Sequence, residues 1–176
     1  SEEITRLVAQ VFRPTENDKG LAILVDLPDD KLVDDESWSA RRAMAAEWAG
    51  VLRAAKASLG LEEILLVAYG NVGANNADLP ETVFVLPEGQ ALPDHPKDLE
   101  AGWGIPFQEV LKRCSILMAL TELSATAPLK VIGRNGTIRA ATMPGFTTDM
   151  IPALKLDYDE INRRVTHLKN ILDEST

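Results

Sequence analysis

Cysteine and histidine are scarce in this chain. Cys114 is the only cysteine among 176 residues, so no disulfide can form within the chain, and nothing points to an oxidising compartment. The two histidines, His95 and His167, lie far apart, and the His-Glu-x-x-His and Cys-x-x-Cys patterns are missing. A protein metal site takes three or four ligands. Because cysteine and histidine are so scarce, we predict no metal centre in this chain.

Positive charge is also in deficit. The chain has 18 Lys and Arg against 27 Asp and Glu, which gives a net charge of −9 and a pI near 4.7. Nucleic-acid backbones and anionic membranes both attract basic surfaces. No apolar run approaches the roughly 20 residues of a membrane span, and the acidic start, Ser-Glu-Glu-Ile, does not resemble a signal peptide. We expect a cytoplasmic protein with no nucleic-acid and no membrane partner.

The usual catalytic fingerprints are missing as well. The glycines of "YGNVGANN" follow a Gly-x-x-Gly pattern, which is neither a P-loop nor a dinucleotide-binding turn. No Gly-x-Ser-x-Gly elbow surrounds Ser124 or Thr126. Cys114 precedes an apolar run and has no histidine near it in sequence, so it is interpreted as a buried apolar residue. The chain is short of catalytic groups.

What is present is the pattern of an α/β domain. Hydrophobic residues make up 45% and charged residues 26% of the chain, as in globular proteins. Nearly continuous apolar runs predict strands buried on both faces, and helical spacing predicts the segments between them. The predicted strands are 21–28, 62–69, 81–86, 115–121 and 137–142, and the predicted helices are 2–12, 37–59, 106–114, a short one from Thr126, and a last one opened by Asp157-x-x-Glu160. We predict one three-layer α/β domain over residues 1–176, with a mostly parallel sheet of about five strands flanked by helices.

Three unusual segments follow predicted strands. They are 69–80, 121–128 and 143–148, and the last contains Met-Pro-Gly. Ligands of parallel α/β sheets bind beyond the carboxyl ends of the strands. The simplest role of Ser124 and Thr126 is to cap the following helix, but a hydroxyl cluster at this edge would also hold a polar ligand.

The stretch "ILMALTELSATAPLKVIGRNGTIRAATMPGFTTDMIPALKLDYDEINRRVTHL" resembles the aminopeptidase T-like family of thermophilic metallo-aminopeptidases. In that family a strand ends in a Thr/Ser-rich turn, and a second strand ends in Arg-x-x-x-Met-Pro-Gly before a helix that opens near Asp-Tyr. The resemblance implies a set of substrate-binding residues at the two turns: Thr121, Ser124, Thr126, Arg139, Met143, Gly145 and Thr147.

The resemblance also implies where catalysis takes place. Proteins of that family are longer, and the ligands of their two-metal site come from a C-terminal half that has no counterpart here. We therefore expect an N-terminal domain of a leucyl aminopeptidase-like metallohydrolase, which shapes the substrate cleft or an oligomer contact. The divalent metal is expected only in a full-length relative. Two alternatives stay open, namely the equivalent domain of a dihydroxypyridine ring-cleaving dioxygenase and a stand-alone, non-catalytic binding domain.

Association is the remaining expectation. Trp38 and Trp48, with a cover loop near Trp103, would leave apolar surface that a partner buries. A homodimer or a missing C-terminal domain is the expected partner, and a small molecule or a peptide is the expected substrate.

We predict that this chain binds no catalytic divalent metal, because two distant histidines and scattered carboxylates do not supply a complete ligand set. Titration calorimetry with zinc, cobalt and iron(II) should detect no stoichiometric binding. A tight site of one or two ions per chain would contradict the prediction and revive a catalytic role.

Overall fold

The computed structural model describes residues 2–154 and 156–174, without the side chains of Glu2 and Asn135. Its strands are β1 (Gly20–Leu27), β2 (Glu63–Gly70), β3 (Thr82–Leu86), β4 (Gly104–Pro106), β5 (Ile116–Ala119) and β6 (Arg139–Thr142). Its α-helices are α1 (Glu2–Phe12), α2 (Glu36–Ala55), α3 (Phe107–Arg113), α4 (Thr126–Ile132) and α5 (Tyr158–Glu174). Short 3₁₀ segments cover Lys56–Leu59, Pro96–Asp98, Ala101–Trp103, Gly133–Asn135 and Thr148–Leu154.

The strands form one sheet in the order β4-β3-β2-β1-β5-β6. β2, β1, β5 and β6 are parallel, and β3 and β4 add an antiparallel margin beside β2. This confirms the predicted α/β class with its mostly parallel sheet. The strand that sequence reasoning missed is β4, whose three residues lie in the proline-rich stretch 87–106. A strand of this length is too short to produce an alternating pattern, so its pairing with β3 leaves no periodic signal.

Helices cover both faces of the sheet, which makes three layers. The odd-numbered residues of β1, such as Leu21 and Ile23, pack with α1 and α2, and the even-numbered Ala22 and Leu24 pack with α3 and α4. A strand covered on both faces needs apolar residues at every position. This explains the unbroken apolar run of β1.

Trp38 and Trp48 do not leave the apolar surface that the sequence suggested. They lie on α2 and are only 3% and 6% exposed, because they pack into the core. The expectation of exposed apolar surface is therefore wrong for these two residues. Trp103 is partly buried against the same core and keeps part of its surface exposed. Exposed apolar side chains lie instead on α5.

The final helix begins as the capping pattern predicts. The Asp157 carboxylate accepts hydrogen bonds from the backbone N–H groups of Asp159 and Glu160 at 3.1 and 3.0 Å. Glu160 pairs with Arg163 and Arg164 rather than with the preceding backbone, so only one half of the capping box forms. Within the described residues, no helix is long and apolar enough to cross a lipid bilayer.

A buried carboxylate fixes the amino-terminal edge of the sheet. Asp18 is 7% exposed and accepts hydrogen bonds from Thr15 and Ser115, and it forms an ion pair with Arg139 at 2.6 Å. Burial by itself would raise the pKa of Asp18, but the bonds from Ser115, Thr15 and Arg139 outweigh it and hold the pKa well below its usual range. The ionised side chain thereby joins the entry to β1 with the starts of β5 and β6.

Asp18→Asn should lower the free energy of unfolding at pH 7 by about 1–3 kcal/mol, because it removes a charged acceptor from this network. An aspartate whose pKa is lowered on folding stabilises the fold above its unfolded pKa of about 3.9, and this contribution is lost as the pH falls through the folded pKa. Urea unfolding at pH 7 and pH 3 should therefore show the wild-type advantage shrinking at the lower pH.

The matched control for this measurement is Asp98→Asn, at an exposed position of the proline-rich loop. It should change stability little at either pH. An equal gap between wild type and Asp18→Asn at both pH values would contradict the proposed role of the charge.

Candidate functional site

The two turns that carry the sequence resemblance lie side by side at the carboxyl edge of the sheet. β5 and β6 are parallel neighbours, so both turns leave the sheet at the same end. The Met143 N–H donates to the Ala119 carbonyl at 2.8 Å, and the Gly145 N–H donates to the Thr121 carbonyl at 3.3 Å. The backbone hydrogen bonds thus continue beyond the strands and fasten one turn to the other.

Hydroxyl groups extend this contact. The Thr126 and Thr142 hydroxyl oxygens lie 2.9 Å apart, and the Ser124 and Thr126 hydroxyl oxygens lie 3.0 Å apart. The Ser124 hydroxyl also donates to the Asn76 amide oxygen at 3.2 Å. Side chains from the ends of β2, β5 and β6 therefore form one hydrogen-bonded row, which we name the polar edge: Asn75, Asn76, Ser124, Thr126 and Thr142.

The asparagines of the polar edge were missed by sequence reasoning, although their loop was identified as one of the three unusual segments. Asn76 has a positive φ of 62°, a conformation that asparagine tolerates better than most residues. Its N–H donates to the Ser124 carbonyl at 2.7 Å, and its side-chain oxygen accepts from the Ala127 N–H at 2.9 Å. The Asn75 side-chain oxygen accepts from the Ser124 N–H at 2.8 Å.

The predicted capping of α4 is confirmed for Ser124 and wrong for Thr126. Thr126 is the first residue of the helix, preceded by Ala125 at the cap position, and neither of their side chains caps it. The Ser124 oxygen accepts the Thr126 N–H at 3.3 Å, and Asn76 accepts the Ala127 N–H. The loop after β2 is thereby tied to the start of α4.

A buried carboxylate lies beneath the polar edge. Asp26, the last residue but one of β1, is 1% exposed and accepts from the Glu122 and Leu123 N–H groups at 2.7 and 2.9 Å. The Trp38 indole N–H donates to its carboxylate at 3.0 Å. Burial raises the pKa of Asp26, and these three donors oppose the rise. The sequence signal was a lone charge inside a strand predicted to be buried on both faces.

Tyr69 on β2 shares this buried environment. It is 3% exposed, and its pKa is raised by burial and by the charge of Asp26. The phenol therefore stays protonated at physiological pH.

A buried arginine supports both turns from α2. Arg41 is 2% exposed, its Nε donates to the Phe146 carbonyl at 2.9 Å, and its guanidinium donates to the Glu122 carboxylate at 2.6 Å. Phe146 itself is buried, and its ring meets that of Trp48 edge-on at a centroid distance of 6.0 Å. The turn after β6 is thus held at two points of Phe146: Arg41 binds its carbonyl, and Trp48 packs against its ring.

Arg139 does not join the other predicted site residues. It begins β6, opposite Ile116 in the register, and its guanidinium binds Asp18 and the Phe12 carbonyl at the amino-terminal edge. The strand separates it from Thr142 by about 10 Å, at 3.3 Å per residue. Arg139, the arginine that matches the family pattern, therefore binds groups at the opposite edge of the sheet from the two turns.

The remaining predicted residues have separate local roles. Thr121 is fully buried and donates to the Leu123 carbonyl at 2.7 Å, within its own turn. Met143 is partly buried against the core beneath α2. Thr147 donates to the Asp149 carboxylate, which lowers the pKa of Asp149. Cys114 is buried as expected, and burial raises the pKa of its thiol to about 12.

The chemistry of the polar edge is that of hydroxyl and amide groups, which donate and accept hydrogen bonds without titrating near neutral pH. Over the described parts of the chain, no group of three or more His, Cys, Asp or Glu side chains is arranged to hold a metal ion. Comparisons of the chain with protein-family models, curated proteins and solved structures find no match. The site is therefore interpreted from its geometry.

Gly145 enables the turn beside Thr121. Its φ is +65°, where side chains are strained, and a Cβ built there meets no atom within 4 Å. We expect Gly145→Val to lower the free energy of unfolding by about 1–3 kcal/mol through backbone strain alone. Urea unfolding of the purified variant measures this loss.

Gly102→Val is the control, because Gly102 also has open space around it but no positive φ. It should be close to neutral. Equal stability losses in the two variants would show that the left-handed conformation of Gly145 is not the cause.

Proposed function

We propose that this chain is an α/β domain of a metallohydrolase resembling the aminopeptidase T-like family, and that its polar edge forms one wall of the substrate cleft. The observation that carries the proposal is the joining of the two turns on which the resemblance rests. The Gly145–Thr121 backbone bond and the Thr126–Thr142 hydroxyl contact bring them into one surface. Under this proposal, a further domain holds the divalent metals and this chain positions the substrate.

The direction of the hydrogen bonds favours a particular ligand chemistry. An amide oxygen only accepts, and a hydroxyl has a single hydrogen. The Ser124 hydroxyl lies within donating distance of both the Asn76 oxygen and the Thr126 oxygen, but it has one hydrogen. When that hydrogen goes to Asn76, Thr126 has to donate to Ser124 and Thr142 to Thr126. The lone pairs of the Thr142 oxygen are then the acceptor at the end of the row.

A ligand with N–H donors suits such an acceptor. An amino acid amide or the amino-terminal end of a peptide carries an ammonium group and an amide N–H beside its carbonyl. Charged N–H donors make stronger hydrogen bonds to a hydroxyl than neutral donors do. The Thr142 end of the polar edge is therefore better matched to an aminoacyl substrate than to a phosphate or another anion.

The proposal predicts that leucinamide binds at the polar edge. In a titration followed by amide NMR shifts, saturable changes should map to Asn76, Ser124, Thr126 and Thr142. Thr142→Val removes the terminal acceptor and should weaken binding about fivefold to tenfold, which corresponds to roughly 1 kcal/mol. Thr142→Ser, which keeps the hydroxyl, should bind nearly as wild type.

Thr82→Val is the matched control, since Thr82 is exposed on β3 and pairs with Pro106 rather than with the polar edge. It should leave binding unchanged. Shifts confined to other surfaces, or no saturable shifts at millimolar leucinamide, would overturn the proposal. Tighter binding of a dihydroxypyridine at the same residues would replace the aminopeptidase-like assignment with the dioxygenase-like one.

A further inference from the structure

β6 is an edge strand whose outer side is open. β5 lies on its inner side, and no other strand of the described residues pairs with it. The N–H groups of Arg139 and Met143 donate to the carbonyls of residues 115 and 119 on the β5 side, both at 2.8 Å. Because successive residues of a strand direct their backbone groups to opposite neighbours, Ala140 and Thr142 direct theirs away from β5. We name the outward-facing backbone groups of these two residues the β6 edge.

The β6 edge is accessible to another chain. Ala140 is exposed and Thr142 is partly exposed, and both side chains are small. In the described part of the chain, the hydrogen bond that Thr142 makes outside the β5 pairing uses its hydroxyl and not its backbone. Proteins commonly protect such edges with lysine or proline. The opposite edge strand, β4, ends in Pro106, whereas β6 contains neither residue type.

Two features limit the length of the β6 edge. Pro144, two residues beyond Thr142, begins the turn and has no N–H to donate. At the other end Gly133 lies against the Ile138 carbonyl, since a Cβ built on Gly133 would meet that oxygen at 3.1 Å. From Thr142 to Ile138 the backbone covers about 13 Å, at 3.3 Å per residue, which leaves room for about four residues of a pairing chain.

We infer that a peptide substrate binds along the β6 edge as an antiparallel strand, with its free amino terminus at Thr142. The inference rests on the proposed function, which places the ammonium group of the substrate at the Thr142 hydroxyl oxygen. Thr142 belongs to both surfaces, because its hydroxyl ends the polar edge and its backbone begins the β6 edge. A chain whose amino terminus lies at the carboxyl end of β6 pairs with that strand only in the antiparallel direction. The substrate class is then a short peptide of about three or four residues.

Antiparallel pairing determines which substrate residues bond to the β6 edge. Opposite residues in a hydrogen-bonded pair exchange both of their N–H···O bonds. The first substrate residue exchanges these bonds with Thr142, and the third exchanges them with Ala140. The N–H of the second residue faces away from β6. An ammonium group has three hydrogens, so one donates to the Thr142 carbonyl while another remains for the hydroxyl oxygen.

Charge at the far end of the β6 edge suits the other terminus of such a peptide. Arg134 lies in the 3₁₀ segment Gly133–Asn135 just before β6, is exposed, and forms no ion pair with a described residue. A peptide of about three or four residues that starts at Thr142 ends beside this segment. An exposed pair between Arg134 and the peptide carboxylate contributes little affinity, so the backbone bonds dominate.

Peptide length tests the inference on the whole chain. Titrations followed by amide NMR shifts compare leucinamide with Leu-Ala-Ala amide. The tripeptide amide should bind about tenfold more tightly, because its third residue adds two backbone hydrogen bonds. Its shifts should extend from Thr142 to Ala140. Acetylation of the tripeptide's amino terminus should weaken binding about tenfold or more, because it removes a charged donor.

N-methylated peptides test the register. Methylation of the third N–H should weaken binding about fivefold to tenfold, because it removes a donor to Ala140. The matched control, methylation of the second N–H, should leave binding nearly unchanged. On the protein, Ala140→Pro removes the outward N–H at a position where an edge strand accepts proline. It should cancel the gain from peptide length but keep wild-type affinity for leucinamide, and Ala140→Ser, which keeps the N–H, should retain the gain.

The outcomes separate this inference from the proposed function. Leucinamide binding at Thr142 with no gain from the longer peptide would overturn the inference and leave the proposed function intact. A gain that needs the third N–H but survives Thr142→Val would support the strand pairing and count against the polar edge as the substrate site. Equal binding of the acetylated peptide, equal losses from both methylations, or no peptide binding would each overturn the inference. A dimer that Ala140→Pro dissociates and that peptides do not compete with would assign the β6 edge to a second copy instead.

Discussion

The hydrogen bonds that the Asp26 carboxylate accepts are the interactions on which the geometry of the polar edge depends. The carboxylate accepts from two successive backbone N–H groups of the turn after β5 and from the indole of Trp38 on α2, while being almost fully buried itself. A strand, a helix and a turn thus share one acceptor. Replacing it with an apolar side chain would leave the Glu122 and Leu123 N–H groups unsatisfied, and each such group costs about 1–3 kcal/mol, whereas the Trp38 indole keeps the Asp26 main-chain carbonyl as an acceptor at 3.0 Å. The position of the 121–126 turn follows from this bond set.

The layered architecture was largely predictable because its signals are local and repeated. Continuous apolar runs mark β1, β2 and β5, and the helical spacing between Asp35 and Gly60 marks α2 together with the 3₁₀ turn that follows it. β4 gave no such signal, since three residues that pair at an edge follow no pattern. The exposure of α5 was also unpredictable. An amphipathic pattern predicts that one face of a helix is apolar, but it does not identify the surface that this face contacts.

The candidate site was only partly predictable for a different reason. Sequence reasoning found the two turns, because strands in parallel sheets end at a common edge. It did not find Asn76, Arg41 or Asp26, whose roles come from contacts across 48 to 105 residues of sequence separation. Arg139 shows the converse limit. It belongs to the motif that carries the resemblance, but its guanidinium binds Asp18 at the other edge of the sheet, so the motif did not predict its contacts.

Phe146 joins the turn after β6 to the helical layer on one face of the sheet. Its carbonyl is held by Arg41 within the turn that borders the polar edge, and its ring rests against Trp48 on α2. Trp48 also lines a cavity of about 820 Å³ bounded by α1, α2, the segment Thr148–Leu154 and the start of α5. A displacement of the turn would therefore move a ring that packs on the wall of this cavity. By thermodynamic linkage, a ligand that shifted the turn and a molecule that filled the cavity would change each other's affinity by the same factor.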